Sequence, residues 1–505
     1  MKKQNRTGRL LINTISSFAM QIVTIACGFV LPRVIIAAYG SEVNGLVNSI
    51  GQFLHVISFL ELGIGAVVQA SLYKPLAEKD NRTMSEVLVS ANRFFRKLGI
   101  ILLIYVLILM VIYPHFFGQE FGHVYTAILI ASVSISAFAQ YYFGIVNGLL
   151  LNADQKGYIQ YIAAIVSLVL TTIVCCIEAK IGCSIHIVKL SASLIYLIRP
   201  FVMKFYVDKH YEINWRIKYD IEPIKQKWNG IAQHLSAVIL DGTDTIVLTV
   251  FSTFINVSIY SVYNLITYGI KNLFLSVANG GIQSLVGDMW AKKEIEKLKD
   301  FYNWMEWAIH TATTFLFTCT GILIVPFVSV YTKGVNDADY NQPLFALLIV
   351  AANGCHCLRL PYHIISKATG KFKETQNSYF ISTILNILIS ILMVYKFGLV
   401  GVAIGTLISM LYQTIWMAWF TSKKLSLGSF GKFFKQLFVD VLSSFCCVIL
   451  CSIFHMKDVN YFEWTKLAFL VVVITILVIG FINIIVYRKM MLRLFQYFIK
   501  RKMKK

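Results

Sequence analysis

The chain has 505 residues, of which 57% are hydrophobic and only 14% are charged, and its formal net charge is +21. Apolar runs of roughly 20 residues or more recur from end to end, and each is long enough to cross a bilayer as a helix. No polar stretch is large enough for a soluble domain, so the composition excludes a soluble globular protein. It predicts an all-α polytopic membrane protein, because unpaired backbone groups cannot face lipid.

Fourteen transmembrane helices are predicted in chain order. The first follows the basic segment MKKQNRTGR and is longer than the apolar core of a signal peptide, so we expect it to be retained. The predicted spans are 9–38, 43–73, 96–114, 123–150, 157–178, 185–208, 226–251, 257–290, 303–331, 341–366, 375–395, 399–422, 433–455 and 463–487.

Positive charge is concentrated in alternate connections between these helices and in both terminal segments, which hold most of the 46 Lys and Arg. Cytoplasmic connections of membrane proteins carry such an excess, so both termini are predicted to be cytoplasmic. The same asymmetry explains the net charge as a topology signal, with attraction to anionic lipid as a secondary effect. We therefore expect no nucleic-acid partner.

An internal repeat is visible when the chain is shifted by about 217 residues. GIGAVVQASLYK at 63–74 then falls on GIQSLVGDMWAK at 281–292, and KIG at 180–182 falls on KFG at 396–398. The repeat predicts two pseudo-symmetric six-helix lobes, 1–210 and 211–425, followed by helices 13 and 14 and a basic tail at 426–505. Parallel repeats of this kind place a substrate path between the lobes.

Ionisable side chains occur inside the apolar runs, where each costs several kcal/mol unless it faces a partner or water. The stretch VILDGTDTIVL at 238–248 carries Asp241 and Asp244 on one helical face, and helix 2 carries Glu61. Four cations lie at membrane depth: Arg33, Arg199, Lys271 and Arg359.

Polar residues form stripes at helical spacing on several of these helices. Two interpretations stay open: private pairs, such as Asp241 with Lys271 or Glu61 with Arg33, or a shared water-filled cavity between the lobes. We favour the cavity because it accounts for all stripes together. The stripe on helix 8 holds Asn264, Thr267 and Lys271, and that on helix 10 holds Asn353, His356, Arg359, His363 and Ser366.

Metal and nucleotide chemistry have little support in the sequence. The ten Cys lack paired C-x2-C spacing, and Cys355, His356 and Cys357 point in different directions on a helix, so we expect no metal site. No G-x4-G-K-[ST] motif occurs, which argues against direct ATP hydrolysis. We expect no cofactor, and only H+ or Na+ as a coupling ion.

The stretches AAYGSEVNGLVNSIGQF at 37–53, LELGIGAVVQASLYKPLAEKD at 60–80 and LDGTDTIVLTVFSTFINVSIYSVYNLI at 240–266 resemble those of Wzx-type polysaccharide flippases. That family belongs with lipid II flippases and MATE exporters in the MOP superfamily. The resemblance implies a non-enzymatic flippase that moves an undecaprenyl-diphosphate-linked oligosaccharide from the inner to the outer leaflet of a bacterial cytoplasmic membrane, for capsule, O-antigen or exopolysaccharide biosynthesis. It also implies polysaccharide polymerase and chain-length proteins as further partners. Because a single chain holds both lobes, we expect a monomer in the lipid bilayer.

The resemblance also suggests roles for the residues at membrane depth. The carboxylates Asp241 and Asp244 are candidates for cation coupling, for hydrogen bonds to sugars or for structural pairing. Helices 13 and 14 are candidates for a groove that holds the polyprenyl tail. The substrate-binding set comprises Arg33, Arg199, Lys271 and Arg359 for the diphosphate, with Glu61, Asn264 and His363.

Two other functions remain open. A cation-coupled multidrug or metabolite exporter would share the fold, because fold does not choose cargo. A membrane glycosyltransferase or polymerase would use Asp337 and Asp339, whose Asp-x-Asp pattern suits a metal–phosphate pair. Their connection is only about ten residues long and has room for little else, so we interpret it as a solvated acidic loop.

Overall fold

The computed structural model describes residues 6–61, 63–117, 119–219, 222–224 and 231–493, without the side chains of 6, 7, 10, 231–235, 237, 241, 276–281 and 284. These residues form helices joined by short connections, and no strand occurs among them. By packing, the chain divides into two compact units, Met1–Ser258 and Ile259–Lys505.

The first unit contains nine described helices, and its apolar core includes Leu46, Val68, Leu88 and Leu150. Asp80 begins the third helix, because its carboxylate accepts hydrogen bonds from the backbone amides of Arg82 and Thr83. The bounds are α1 Arg6–His55, α2 Ile64–Glu78, α3 Asn81–Phe116, α4 His123–Ala139, α5 Ile145–Ala153, α6 Tyr158–Lys180, α7 Ile185–Tyr196, α8 Ile198–His210 and α9 Ile231–Phe251.

The second unit contains the remaining helices, the first of which begins just before the unit boundary. One apolar core gathers around Tyr302 and Phe433, and a smaller one around Cys319 and Val471. The bounds are α10 Phe254–Ala291, α11 Ile295–Tyr331, α12 Pro343–Leu358, α13 Leu360–Ala368, α14 Phe372–Lys424, α15 Phe430–Cys451 and α16 Tyr461–Val486.

Two of these helices bend at a glycine and thus contain two predicted helices each. Gly40 in α1 has φ 86° and Gly398 in α14 has φ 51°. Only glycine adopts these angles without a steric penalty, so the chain can reverse there within one residue. Beyond the second bend, a side chain at Gly401 would collide with the backbone of Met393, which shows how closely the two arms of α14 pack.

Ten described stretches are long and apolar enough to cross a membrane, including the bent α1 and α14. Counting both arms of each bent helix, and adding α9 and α10, confirms the fourteen predicted helices. The chain is therefore a multi-pass membrane protein. The orientation of its termini stays a prediction.

Left-handed residues at matching helix ends support the internal repeat. Lys79 and Lys293, both near φ 56°, each end a helix, and the following amide bonds back to the carbonyl five residues earlier. Such a cap closes the last turn of a helix. The other pairs are Gly122 with Gly334, Gln155 with Gly370, and Gly182 with Gly398, all separated by 212 to 216 residues. The lobe boundary at residue 210 stays a prediction.

Four predicted helices are interrupted where the sequence suggested continuity. Prolines account for two breaks, because a proline displaces the preceding turn from helical hydrogen bonding: Pro200 follows the break at Leu197, and Pro361 follows the break at Arg359. The other two breaks are a 3-10 segment at Val56–Glu61 with left-handed Gly63, and a π segment at Gln140–Gly144.

Candidate functional site

The residues predicted for the site fall in both units. Arg33, Glu61, Arg199 and Asp244 belong to the first unit, whereas Asn264, Lys271, Arg359 and His363 belong to the second. The side chain of Asp241 lies outside the described part of the structure. Glu61, Arg199 and Arg359 each lie within two residues of a helix break, where the backbone leaves the regular ladder.

In the second unit, Arg359 occupies the break between α12 and α13 and is 6% exposed. Its Nη2 lies 3.2 Å from Nδ1 of His356, within hydrogen-bond distance of that ring. The guanidinium carbon also lies 5.8 Å from the centre of the Tyr379 ring, within the range of a cation–π contact. Two α-helices and a ring from α14 thus hold the guanidinium in place.

Lys271 of α10 is also buried, and its ammonium lies 4.5 Å from the centre of the Tyr268 ring. His356 is within electrostatic range of Lys271, Arg359 and His363. His363 in turn shares a hydrogen bond with the hydroxyl of Tyr379. We call Lys271, His356, Arg359, His363 and Tyr379 the cationic cluster.

The chemistry of the cationic cluster suits an anion with several oxygens. A guanidinium presents parallel N–H donors that match a phosphate edge, and a nearby ammonium adds a second point of positive charge. Burial strengthens both contacts, because the local dielectric constant is lower than that of water. Asn264 lies on the same helix as Lys271, two turns or about 10 Å earlier. The structure thus brings Lys271, Arg359 and His363 together and places Asn264 at a distance along α10.

In the first unit, Glu61 accepts a hydrogen bond of 2.7 Å from the hydroxyl of Tyr141. This contact joins the 3-10 segment after α1 to the π segment after α4, so two interruptions meet at one carboxylate. The pairing of Glu61 with Arg33 stays a prediction.

Arg199 follows the break between α7 and α8, and its guanidinium lies 4.8 Å from the centre of the Tyr196 ring. The hydroxyl of Tyr196 donates to the side-chain oxygen of Gln140 over 2.6 Å, which connects Arg199 to the π segment. Arg33 is partly buried in α1, directly after Pro32. The helical geometry of α1 continues through that proline as far as Gly40.

Asp244 is 2% exposed in α9. Gly242 allows this helix to approach α1 closely, because a side chain there would collide with that of Gln52. Further along the same contact, the hydroxyls of Thr249 and Tyr113 each bond to Ser49 over 2.7 Å. Packing against α1 therefore fixes the position of Asp244 inside the first unit.

Sequence reasoning missed a second polar group in the second unit. Nδ1 of His310 lies 2.6 Å from Oδ2 of Asp440, and its Nε2 lies 3.2 Å from the hydroxyl of Tyr362. That hydroxyl and the hydroxyl of Tyr302 donate to the same oxygen of Glu306 over 2.9 and 3.0 Å. We call these five residues the α11 chain.

The α11 chain left a signal in the sequence. Tyr302, Glu306, His310 and Thr314 recur every four residues and therefore share one face of α11. An apolar run with a carboxylate and an imidazole at this spacing indicates a buried polar contact. Asp440, in the middle of the apolar α15, was a second indication of the same kind.

An open cavity of about 960 Å³ lies in the second unit, and some of its lining residues, such as Leu347 and Val441, are exposed. It is lined by α11, α12, α14 and α15, by the connection after α15, and by Leu467 of α16, and its walls are mainly apolar with Asp440 at one point. Predicted helices 13 and 14, which are α15 and α16, were expected to form a groove for the tail. They supply only part of the cavity wall, since α11 and α12 supply much of the lining.

The described residues contain no group of three His, Cys, Asp or Glu that could hold a metal ion. Asp339 serves its own loop, where its carboxylate accepts from the amide of Asn341 and its carbonyl accepts from the side chain of Gln342. These bonds are those of an ordinary polar turn.

The fold is shared with known membrane transport proteins. A structure of the lipid II flippase MurJ in an inward closed conformation matches with a TM-score of 0.71 and 14% identity, covering 95% of this chain and 100% of that one. An inward-facing multidrug resistance MATE family transporter of the MOP superfamily matches with a TM-score of 0.57 and 13% identity, covering 81% of this chain and 96% of that one. An outward-facing MATE family transporter matches with a TM-score of 0.53 and 14% identity, covering 83% of this chain and 94% of that one.

These likenesses establish a MOP-type fold for the chain and, at such identities, the fold alone. No protein-family model matches the sequence, and no curated protein matches it.

Proposed function

We propose that the protein is a flippase of the Wzx type. It moves an undecaprenyl-diphosphate-linked oligosaccharide from the inner to the outer leaflet of the bacterial cytoplasmic membrane by alternating access, for capsule, O-antigen or exopolysaccharide biosynthesis. The observation that carries the proposal is that α12 has the cationic cluster on one side and the apolar cavity on another.

The two environments are adjacent along the chain. Gly354, Cys355 and Leu358 line the cavity, while His356 and Arg359 belong to the cationic cluster. A polyprenyl diphosphate has the same polarity, with a multiply charged head next to a long apolar tail. The cavity lies at the upper end of the roughly 300–1,000 Å³ typical of ligand sites, so it accommodates a large part of such a tail.

The comparisons agree with a lipid-sized cargo. The MurJ structure matches along 95% of the chain, whereas the inward-facing MATE structure matches along 81%. The difference is comparable in length to α15 and α16, of which α15 contributes Asp440, Val441, Ser444 and Val448 to the cavity. A carrier of a long lipid tail has a use for such an apolar wall.

The remaining roles are proposals of the same kind. Arg33 and Arg199 assist the diphosphate from the first unit, with Glu61, Asn264 and His363 as polar contacts along its path. Asp241 and Asp244 couple transfer to H+ or Na+. The protein acts as a monomer in the bilayer beside polysaccharide polymerase and chain-length proteins.

The second candidate is a cation-coupled multidrug or metabolite exporter. It is favoured by the fold shared with the MATE transporters and by an apolar cavity that also suits an organic cation. The buried positive charge of Lys271 and Arg359 opposes it, because like charges repel a cationic drug.

The test is transfer of fluorescent lipids by the full-length protein in proteoliposomes. Three lipids carry the same oligosaccharide and label on undecaprenyl diphosphate, undecaprenyl monophosphate or farnesyl diphosphate. We expect transfer to be fastest for undecaprenyl diphosphate, because only this lipid offers both the full head-group charge and the long tail. The measurement is the fraction of label that a membrane-impermeant quencher reaches with time.

Transfer of all three lipids at the rate of protein-free liposomes contradicts the flippase. Uptake of an organic cation under a proton or Na+ gradient by the same vesicles then supports the exporter. Equal transfer of undecaprenyl and farnesyl diphosphate removes the cavity from the path but leaves the head-group site in place.

A further inference from the structure

The α11 chain has a different character from the cationic cluster, since donors and acceptors alternate along it without interruption. It extends from Tyr302, packed against Gly428 in the connection after α14, to Asp440 at the cavity wall. Tyr302 and His310 are eight residues apart, which is about 12 Å along a helix. The chain therefore links one end of the second unit to its cavity.

The directions of the hydrogen bonds locate two protons at His310. Because Tyr362 donates its proton to Glu306, its oxygen accepts from Nε2–H of His310. The contact between Nδ1 of His310 and Oδ2 of Asp440 holds a second proton, on either the ring or the carboxyl group. His310 is thus either an imidazolium or a neutral ring beside a protonated Asp440.

The α11 chain contains two carboxyl groups and one imidazole, all of them buried. Glu306, His310 and Asp440 are all at most 7% exposed. Among the described residues, no Lys or Arg side chain forms an ion pair with either carboxylate. Two buried carboxylates beside a single imidazole therefore carry a net negative charge unless they take up one more proton.

The surroundings of the chain supply few other charges. Tyr487, after α16, is within electrostatic range of Asp440 and Glu306, and the ammonium of Lys435 lies 5.7 Å from the centre of the Tyr487 ring. The other described groups that face the chain are Gln436 from α15, the cavity-lining Cys355 from α12, and apolar Met417 and Phe433 from α14 and α15.

We propose that the α11 chain is a proton-transfer site, in which one proton moves between the Asp440–His310 pair at the cavity and Glu306 nearer the connections. The step is balanced: the hydroxyl proton of Tyr362 passes to Glu306, and the Nε2 proton of His310 replaces it on Tyr362. His310 becomes neutral and Glu306 becomes a carboxylic acid. The further claim that this proton drives lipid transfer rests on the proposed function.

Infrared spectroscopy of the full-length protein in nanodiscs tests the proton site without any cargo. Difference spectra between acidic and alkaline buffer report the carbonyl stretch of protonated carboxyl groups. We expect Glu306→Gln and Asp440→Asn each to remove part of this signal. Tyr362→Phe keeps both carboxyl groups but cuts the link, so the pH at which the signal appears should change by about one unit or more.

Tyr263→Phe is the matched control, because Tyr263 is as fully buried as Tyr362 and lies in the same unit. Its hydroxyl donates to the backbone oxygen of Tyr340 over 2.7 Å, outside the α11 chain, so its spectrum should match that of the wild type. The proposal is overturned if Glu306→Gln and Asp440→Asn leave the signal intact, or if Tyr362→Phe titrates as the control does.

A pH gradient across proteoliposomes tests the driving role. We expect the gradient to accelerate transfer of the fluorescent undecaprenyl diphosphate lipid by the wild type and by Tyr263→Phe. Tyr362→Phe should transfer the lipid only at the gradient-free rate. A Tyr362→Phe protein that responds to the gradient while Asp244→Asn does not assigns coupling to α9 and overturns the driving role. Absence of lipid transfer by the wild type overturns the proposed function instead, and the infrared result then decides the proton site alone.

Discussion

Two contacts on the same helix, each between a carboxyl group and a nitrogen-bearing side chain, are equally short but differ in their surroundings. Asp300 of α11 pairs with Arg493 over 2.6 Å, and three turns further along, His310 pairs with Asp440 over the same distance. The side chains of the first pair are 61% and 52% exposed, whereas those of the second are 0% and 8% exposed. Water can replace either partner in the first pair, whereas the side chains of the second pair have almost no exposed surface.

The two pairs show that contacts of the same length can contribute differently to the free energy of unfolding. An exposed pair exchanges hydration for a contact of similar free energy, so its net value is small. A buried pair lost its hydration on folding, and removing one partner leaves the other charged and dry. The degree of burial along α11 therefore decides how much free energy is lost when a polar side chain is removed.

The largest expected effect is that of His310→Ala. The substitution leaves Asp440 buried without its imidazole and should lower the free energy of unfolding by about 3–5 kcal/mol. The measurement is SDS-induced unfolding in mixed micelles. In the double variant His310→Ala with Asp440→Ala, no buried charge remains at the pair, so part of the loss should be recovered. An unchanged unfolding midpoint for the single variant would show that water reaches Asp440.

The next effect tests a buried charge that is placed for a ligand. Arg359→Ala removes a guanidinium worth about 1.5–3 kcal/mol in a charged hydrogen bond, so transfer of the undecaprenyl diphosphate lipid should fall roughly ten- to a hundredfold. Arg359→Lys keeps the charge but loses the parallel donors, so its transfer rate should lie between those of the wild type and Arg359→Ala.

Lys466→Ala is the control for Arg359, because Lys466 forms an exposed pair with Glu463 at the start of α16. It should transfer the lipid at the wild-type rate. Equal transfer by Arg359→Ala and Lys466→Ala would assign Arg359 to structure alone.

Thr318→Val sharpens the comparison with a buried but neutral contact on α11. The hydroxyl of Thr318 lies 2.7 Å from that of Ser444, which also donates to the backbone oxygen of Asp440. Because Ser444 keeps this second acceptor, the free energy of unfolding should fall by only about 1 kcal/mol. A loss as large as that of His310→Ala would show that burial, and not charge, sets the scale.

The sequence predicted the helices well because hydrophobic length is a strong signal, but it predicted their interruptions poorly. The bend at Gly398 followed from a short connection, KFG, whereas the π segment at Gln140–Gly144 has no Pro or Gly inside it before its last residue. Such a segment depends on contacts with other helices, here of Tyr141 with Glu61 and of Gln140 with Tyr196. Tertiary contacts of this kind leave no local pattern.

The candidate site shows the same division. The stripe on helix 10 grouped His356, Arg359 and His363, which lie close to one another although the helix breaks at Arg359. The α11 chain combines residues of α11, α13 and α15, and Asp440 is 130 residues from His310. One sequence without pairing information indicates that Glu306, His310 and Asp440 need partners, but not that they are each other's.

Arg493→Gln should have the smallest effect and completes the comparison. Arg493 donates through Nη1 and Nη2 to both carboxylate oxygens of Asp300, which raises the pKa of the arginine. Both side chains remain in water, so the loss in the free energy of unfolding should be at most about 1 kcal/mol and should shrink further in high salt. The measurement is the same SDS titration at low and high NaCl. A salt-independent loss as large as that of His310→Ala would mean that this end of α11 is buried in the membrane-bound protein. The difference in burial between the two pairs would then disappear.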